Sequence, residues 1–187
     1  MLRSLIVIVV VLLSIVDGIA SHAVGVDLSY VCLGGNQYEF TVNLYRDCDG
    51  IDAPTSLIID VGSASCGINS SINLSQTGFQ EVSQICASAI PNTTCNGGVL
   101  PGIQQYVYTG TFTMPAQCTD WIASYTLCCR NGAITNLQSA DAENLYVEAL
   151  INNSGTICNS SAQFSSLPVP YICVNQAFSY NHSAVDS

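Results

Sequence analysis

The chain predicts an all-β protein: a disulfide-stapled immunoglobulin-like β-sandwich followed by a second, smaller or incomplete β-unit. Three observations carry that prediction. Apolar residues recur with period two nearly throughout, turn-forming residues separate the runs, and ten cysteines are spread from 32 to 173. With 187 residues, 49% of them hydrophobic, the chain can bury the core of one ordinary domain, or of one domain and part of a second.

The first element is not part of the fold. Arg3 supplies a positive start, Leu5 to Val16 an apolar run, and Gly18-Ile19-Ala20 a small-x-small cleavage site, so residues 1–20 read as a secretory signal peptide. The run is shorter than the ~20 residues a bilayer span needs. The mature chain is therefore expected to begin at Ser21, to carry no transmembrane segment and to be secreted to the cell surface.

The β-sandwich is expected over residues 21–135. Val26, Leu28 and Tyr30 alternate with polar neighbours, Gly34-Gly35-Asn36 tolerates positive φ, and Tyr38, Phe40, Val42 and Leu44 alternate again: a hairpin. Leu57 to Val61, Ile68 to Leu74, Gln104 to Met114 and Trp121 to Arg130 are further strands, the last with Trp121, Ala123, Tyr125 and Leu127 on one side. Ser83 to Gly102, with prolines, glycines, Cys86 and Cys95, reads as a long tied-down loop. Asn131-Gly132 makes a turn. The second unit is expected over 136–187, with Ala133 to Asn144 a short helix or linker and Leu145 to Ile151 and Val169 to Val174 as strands, too few to close a sandwich.

Export gives the cysteines their meaning. Cys32, Cys48, Cys66, Cys86, Cys95, Cys118, Cys128, Cys129, Cys158 and Cys173 form an even set, which in an oxidising compartment is a disulfide framework of up to five bridges. Their pairing is open, except that neighbouring side chains on an extended strand point to opposite faces. Cys128 and Cys129 are therefore expected to bridge to different partners. No C-x-x-C pair occurs, and His22 and His182 sit near opposite ends of the mature chain, which argues against zinc.

Charge excludes whole classes of function. Lysine is absent, and three arginines face thirteen acids for a net charge of −10, a field that repels nucleic acid and anionic membranes. Catalysis has little to work with: two histidines, scattered carboxylates and no G-x-S-x-G elbow, so no enzyme is expected. No cofactor is expected either, with one alternative. In "LYRDCDGID", Asp47, Asp49 and Asp52 lie within six residues and offer an irregular Ca²⁺ site, although the EF-type template fails because Ile51 falls at position 5 and Asp52 at position 6. The competing reading makes this stretch a strand end in which Arg46 offsets the acids, a bridge pins Cys48, and Gly50 turns the chain. Six N-x-S/T sequons begin at Asn69, Asn73, Asn92, Asn152, Asn159 and Asn181 and permit a glycan coat. Strand tyrosines and Trp121 offer a sugar-stacking platform, but the alternation of Tyr38, Phe40, Tyr106, Tyr108, Phe112 and Tyr125 assigns most aromatics to the core.

The stretches "SHAVGVDLSYVCLGGNQYEFTVNLYRDC", "WIASYTLCCRNGAITNL" and "NSSAQFSSLPVPYICVNQAFSYNHSAVD" resemble the N-terminal region of the large secreted, gliding-motility-associated, adhesin-like surface proteins of gliding bacteria. The resemblance covers residues 21–186. It implies cell-surface location and tandem immunoglobulin-like β-modules. It departs from the family where the chain stops after Asp186 rather than running into a D-G-D-S-L-x-Y-S strand, so a C-terminal half with its sorting signal is expected to be missing.

An incomplete second unit exposes a sheet edge, and edges pair with complementary strands. Ser21 to Tyr30, with alternating Val24, Val26 and Leu28, is the expected donor. It would insert into the next subunit head to tail and build a surface filament from copies of this chain. Pairing of the same segment within its own domain is the competing reading. The alternative function is an adhesive module in a long stalk, binding a glycan or protein beside neighbouring surface modules.

Overall fold

The computed structural model describes residues 23–132, 134–167, 175, 177, 179–181 and 183–186. The signal peptide, both histidines, Val169 to Val174 and Cys173 lie outside them.

The protein is all-β and disulfide-rich. Seven strands carry it: β1 (Ala23–Gly34), β2 (Gln37–Asp47), β3 (Ser56–Ser63), β4 (Ile68–Glu81), β5 (Ile103–Thr113), β6 (Trp121–Cys128) and β7 (Asn144–Ile151). They form one antiparallel sheet in the order β1-β2-β5-β4-β3-β6-β7, curled until β1 and β7 approach each other. A separate two-stranded sheet joins β8 (Gln163–Phe164) to β9 (Ala184–Val185).

Period two creates these strands because alternate residues reach the inside of the curl. On β2, Tyr38, Phe40, Val42 and Leu44 are buried; on β3, Leu57, Ile59 and Val61; on β6, Trp121, Ala123 and Tyr125. Trp121, Tyr108, Phe40, Ile59 and Leu74 are wholly buried and fill the centre. Burial of each such side chain contributes roughly 1.5–3 kcal/mol. The β1–β2 hairpin closes as its turn chemistry requires: φ is +91° at Gly34, +59° at Gly35 and +63° at Asn36. Alternation breaks at the end of β2, where Tyr45 is buried on the outer face against Val82 and Ile103 while Arg46 is buried on the inner one.

The boundary expected near residue 135 does not divide the sheet. β7 lies in the stretch assigned to a second unit, yet it pairs with β6 residue for residue from Cys128↔Asn144 to Trp121↔Ile151. The physical reason is shared burial, since Leu145 and Ile151 belong to the same core as Trp121 and Tyr125. Among the described strands only β8 and β9 stand outside the main sheet. Between β6 and β7 the expected helix or linker contains a single 3-10 turn at Ala140–Ala142.

Three bridges pin the parts of the chain that hairpins leave loose. Cys48–Cys95 ties the start of the β2-to-β3 crossover to the β4–β5 loop, Cys66–Cys118 ties the β3–β4 turn to the β5-to-β6 crossover, and Cys32–Cys158 ties β1 to the tail. Asn153, just past β7 and buried, plugs one end of the core. Its Oδ1 accepts from Cys118 N at 2.8 Å and Trp121 Nε1 at 3.2 Å, and its Nδ2 donates to Ala116 O at 3.0 Å.

Two outcomes follow for equilibrium denaturation. Asn153→Ala leaves the Trp121 and Cys118 donors buried without an acceptor and is expected to cost roughly 2–4 kcal/mol, read as a lower urea midpoint at unchanged slope. Replacing Cys32 and Cys158 together by serine is expected to cost about 2–5 kcal/mol in the same measurement.

Candidate functional site

Two features of the curled sheet offer a surface for function, and both involve β1. The first is the seam between β1 and β7. Six successive antiparallel pairings separate these strands, so they run in the same direction. Among the described residues no hydrogen-bonded ladder joins them. The seam is held at its ends: Ala23 forms an isolated bridge with Arg130, and Tyr30 Oη donates to Leu150 O at 3.0 Å. The tail lies along the Tyr30 end, where Ser161 N donates to Tyr30 O at 3.0 Å and Tyr30 N donates to Ser161 Oγ at 2.9 Å. Between the pins lies a cleft of about 520 Å³ whose walls include Val26, Leu28, Val147 and Ala149.

The second feature is a polar slot on the outer face of β1, β2 and β5. Cross-strand register places Asp27 opposite Asn43 and Tyr45 opposite Gln105, which sets four polar side chains side by side. Their hydrogen bonds run one way. Gln80 Nε2 donates to Gln105 Oε1 at 2.8 Å; Gln105 Nε2 donates to Asn43 Oδ1 at 3.1 Å and to Tyr45 Oη at 3.3 Å. Asn43 Nδ2 then donates to Asp27 Oδ1 at 2.8 Å, and Tyr45 Oη to Asp27 Oδ2 at 3.2 Å. Burial pushes the Asp27 carboxyl above its ordinary range, opposed by the hydrogen bonds from Asn43 and Tyr45. Burial, reinforced by the adjacent Asp27 charge, likewise drives the Tyr45 hydroxyl upward. The tail segment 163–167 roofs this network and leaves a slot of about 170 Å³.

The acidic stretch is a strand end. Asp47 Oδ1 accepts from Asp49 N at 3.1 Å, Gly50 N donates to Asp47 O at 3.0 Å, and Cys48 is bridged. Asp47, Asp49 and Asp52 do not converge: Asp52 is 97% exposed and lies 3.4 Å from Arg46 Nη1, and no group of three acids, histidines or cysteines that could hold a metal occurs among the described residues. The Ca²⁺ expectation is corrected accordingly: closeness in sequence does not gather the three carboxylates, since Asp47 is engaged by the Asp49 backbone and Asp52 by Arg46. Arg46 offsets Asp52 as expected, and it does so while itself buried. It donates to Gly50 O, Ile51 O and Gln104 Oε1, its guanidinium sits 5.7 Å over the Tyr106 ring, and its Nε is the buried side-chain polar atom left without a partner among the described residues.

Cys128 and Cys129 overturn their expectation by bonding to each other. A cis peptide links them and brings their Cα atoms to 3.1 Å, so the alternation of an ordinary strand does not apply. Cys86 is exposed and unbridged among the described residues. The six sequon asparagines, Asn69, Asn73, Asn92, Asn152, Asn159 and Asn181, are all exposed. The expected donor strand is paired at home: Val26 faces Leu44 and Leu28 faces Val42 in the hairpin, Leu28 is buried in the core, and Val24 at a bulge is exposed. Trp121 is interior, so it belongs to no surface platform. Phe79, 64% exposed and stacked 5.7 Å from Tyr106, is the aromatic that alternation alone does not assign.

A clip at the β3–β4 turn completes the electrostatics. Asp120 accepts from Ser63 Oγ and Ser65 Oγ, each at 2.5 Å, and from Ser65 N at 2.8 Å, and these hydrogen bonds lower its carboxyl to about 2.

These features define a curled, disulfide-stapled antiparallel β-protein with a roofed polar slot and a seam that no ladder closes among the described residues. Comparison with models of known protein families, with curated proteins and with solved structures found no match to this chain.

The buried tyrosines generate an alkaline prediction. Burial, with smaller effects from Tyr125 and Tyr106, pushes the Tyr108 hydroxyl up to about 12, and Tyr45 moves in the same direction. A raised folded-state value means that this stabilisation is complete below the unfolded value of about 10 and is lost as pH rises toward 12. Absorbance titration at constant low denaturant is expected to show delayed ionisation of these tyrosines and a stability that declines with pH in that interval.

Proposed function

We propose that this chain is a non-enzymatic, extracellular structural protein, a subunit of a cell-surface filament joined by β-strand addition between copies. The observation that supports the reading is the β1–β7 seam: two edges running in one direction, with a cleft between them that tail residues Asn159 to Ala162 also line and that would have to widen to admit one opposed strand. A strand running opposite to both would meet each in antiparallel register and complete an eight-stranded closed sheet. The occupant is an extended segment of a second copy, which makes the contact heterologous and able to propagate.

In this scheme β1 is the acceptor rather than the donor. With Val26 and Leu28 committed to their own hairpin, donating Ser21 to Tyr30 would require breaking seven of the ten residue pairings that hold β1 to β2, from Ala23↔Arg46 to Tyr30↔Phe40. The bridge-pinned crossovers are consistent with an oxidising, extracytoplasmic setting, and the resemblance to secreted surface proteins of gliding bacteria points the same way. Asp27, Glu148 and Asp186 line the cleft, so copies repel one another at low salt and screening favours assembly.

Sedimentation velocity and negative-stain microscopy test the reading on the secreted protein. Wild type is expected to form elongated assemblies that grow with ionic strength. Val147→Lys, which places a charge in the cleft wall at a residue packed against the core, is expected to fold with a lowered thermal midpoint and remain monomeric. A wild type that stays monomeric at all concentrations and salts, or a Val147→Lys protein that assembles as wild type does, removes the strand-addition reading.

A further inference from the structure

We propose that the roofed slot over β1, β2 and β5 binds a single neutral sugar ring. The inference does not rest on the assembly reading, since the groups it uses are side chains on the outer face of the sheet and not the free strand edges.

Strand pairing does not require the hydrogen-bond chain from Gln80 through Gln105 and Asn43 or Tyr45 to Asp27, because the ladder already satisfies the backbone of these strands. What the chain does is deliver two donors to one carboxylate and fix every side chain in it. Gln105, itself buried, spends its amide hydrogens on Asn43 and Tyr45, so the network is set before any ligand arrives. The Asp27 carboxylate has two oxygens with four acceptor directions, and the two donors leave capacity for more. Ser29 and Thr41, on the same face and opposite each other in register, add hydroxyls that either donate or accept.

The roof supplies a second wall. Gln163 and Phe164 close the slot from above, the first with an amide and the second with an aromatic ring. The roof is anchored on both sides. Cys158 is bridged to Cys32, and past Phe164, Ser165 N donates to Ser183 O at 3.1 Å and Ser166 Oγ contacts Ser183 Oγ at 2.9 Å. A carboxylate, two amides, several hydroxyls and one aromatic wall match a sugar: its hydroxyls need acceptors and donors side by side, and its C–H face packs on a ring.

Other ligand classes fit less well. An anion meets the Asp27 carboxylate with no cationic side chain among the described residues that line the slot. A metal ion would have to take both Asp27 oxygens from Asn43 and Tyr45 and would find no second acid in the lining. A peptide or oligosaccharide is too large for about 170 Å³, which holds several waters or one small ring.

The experiment is saturation-transfer NMR on the folded, oxidised protein with glucose, galactose, mannose, fucose and N-acetylglucosamine, followed by titration of the sugar that gives the largest effect. At least one sugar is expected to bind saturably, in the range of about 1 mM typical of so small a contact. Asp27→Asn keeps the shape and is tolerated because burial there disfavours the charge. It is expected to weaken binding about tenfold or more, as the loss of one charged acceptor implies. Thr41→Val, outside the hydrogen-bond chain, is expected to weaken the same sugar severalfold and decides the matter if Asp27→Asn does not fold. Absence of saturable transfer from every sugar in the panel overturns the proposal, as does binding that both variants leave unchanged. Because binding is read on monomer and assembly alike, failure here leaves the seam untouched, and failure of assembly leaves the slot untouched.

Discussion

An odd number of alternating strands constrains everything else in this molecule. Seven antiparallel strands curled around one core bring together two edges that point the same way, and the antiparallel ladder that joins every other neighbour cannot join these. The chain deals with its seam by other means: a bridge at Ala23, a tyrosine hydroxyl on the Leu150 carbonyl, and a tail whose serines satisfy the β1 backbone at Tyr30 and Cys32. Side chains there do what backbone does elsewhere. The core remains sealed while the middle of the seam stays open, so the same feature that leaves closure incomplete also creates a surface.

Much of the sheet is legible in the sequence because burial on one face writes itself as alternation. Tyr38, Phe40, Val42 and Leu44, or Trp121, Ala123 and Tyr125, can be read straight from their spacing. The Gly34-Gly35-Asn36 turn is legible because three consecutive positive φ values leave few residue choices. What is not legible depends on partners distant in sequence. β7 joins β6 although a polar stretch separates them, since its apolar face completes a core that the sequence displays only in pieces. Arg46 reads as the partner of neighbouring acids and does pair with Asp52, but nothing in the sequence marks that the turn at Gly50 and Ile51 folds back over it with carbonyl oxygens and buries it.

The slot was hidden for a related reason. Asp27, Asn43 and Gln105 occupy the polar positions of alternating strands, where the ordinary expectation is solvent. Only cross-strand register sets them side by side, and only the tail, far along the chain, roofs them. A polar residue on an outer face carries no mark of whether a distant segment will cover it. Cys128 and Cys129 show the opposite limit. Their adjacency is visible at once, but the peptide geometry that lets them meet is not a property of spacing.

The bridge from Cys32 to Cys158 has a mechanical consequence. It joins residues 126 positions apart, so a pull between the start of β1 and the tail travels along β1 and across the sulfurs, and the intervening chain carries no tension. Load falls on the covalent path through β1 and the two sulfurs. The rest of the sheet, with its loops and crossovers, lies outside the line of force. A protein built this way can be tugged at its tail without its core being drawn out, and the length it can give up under force is limited to the short covalent path through one strand.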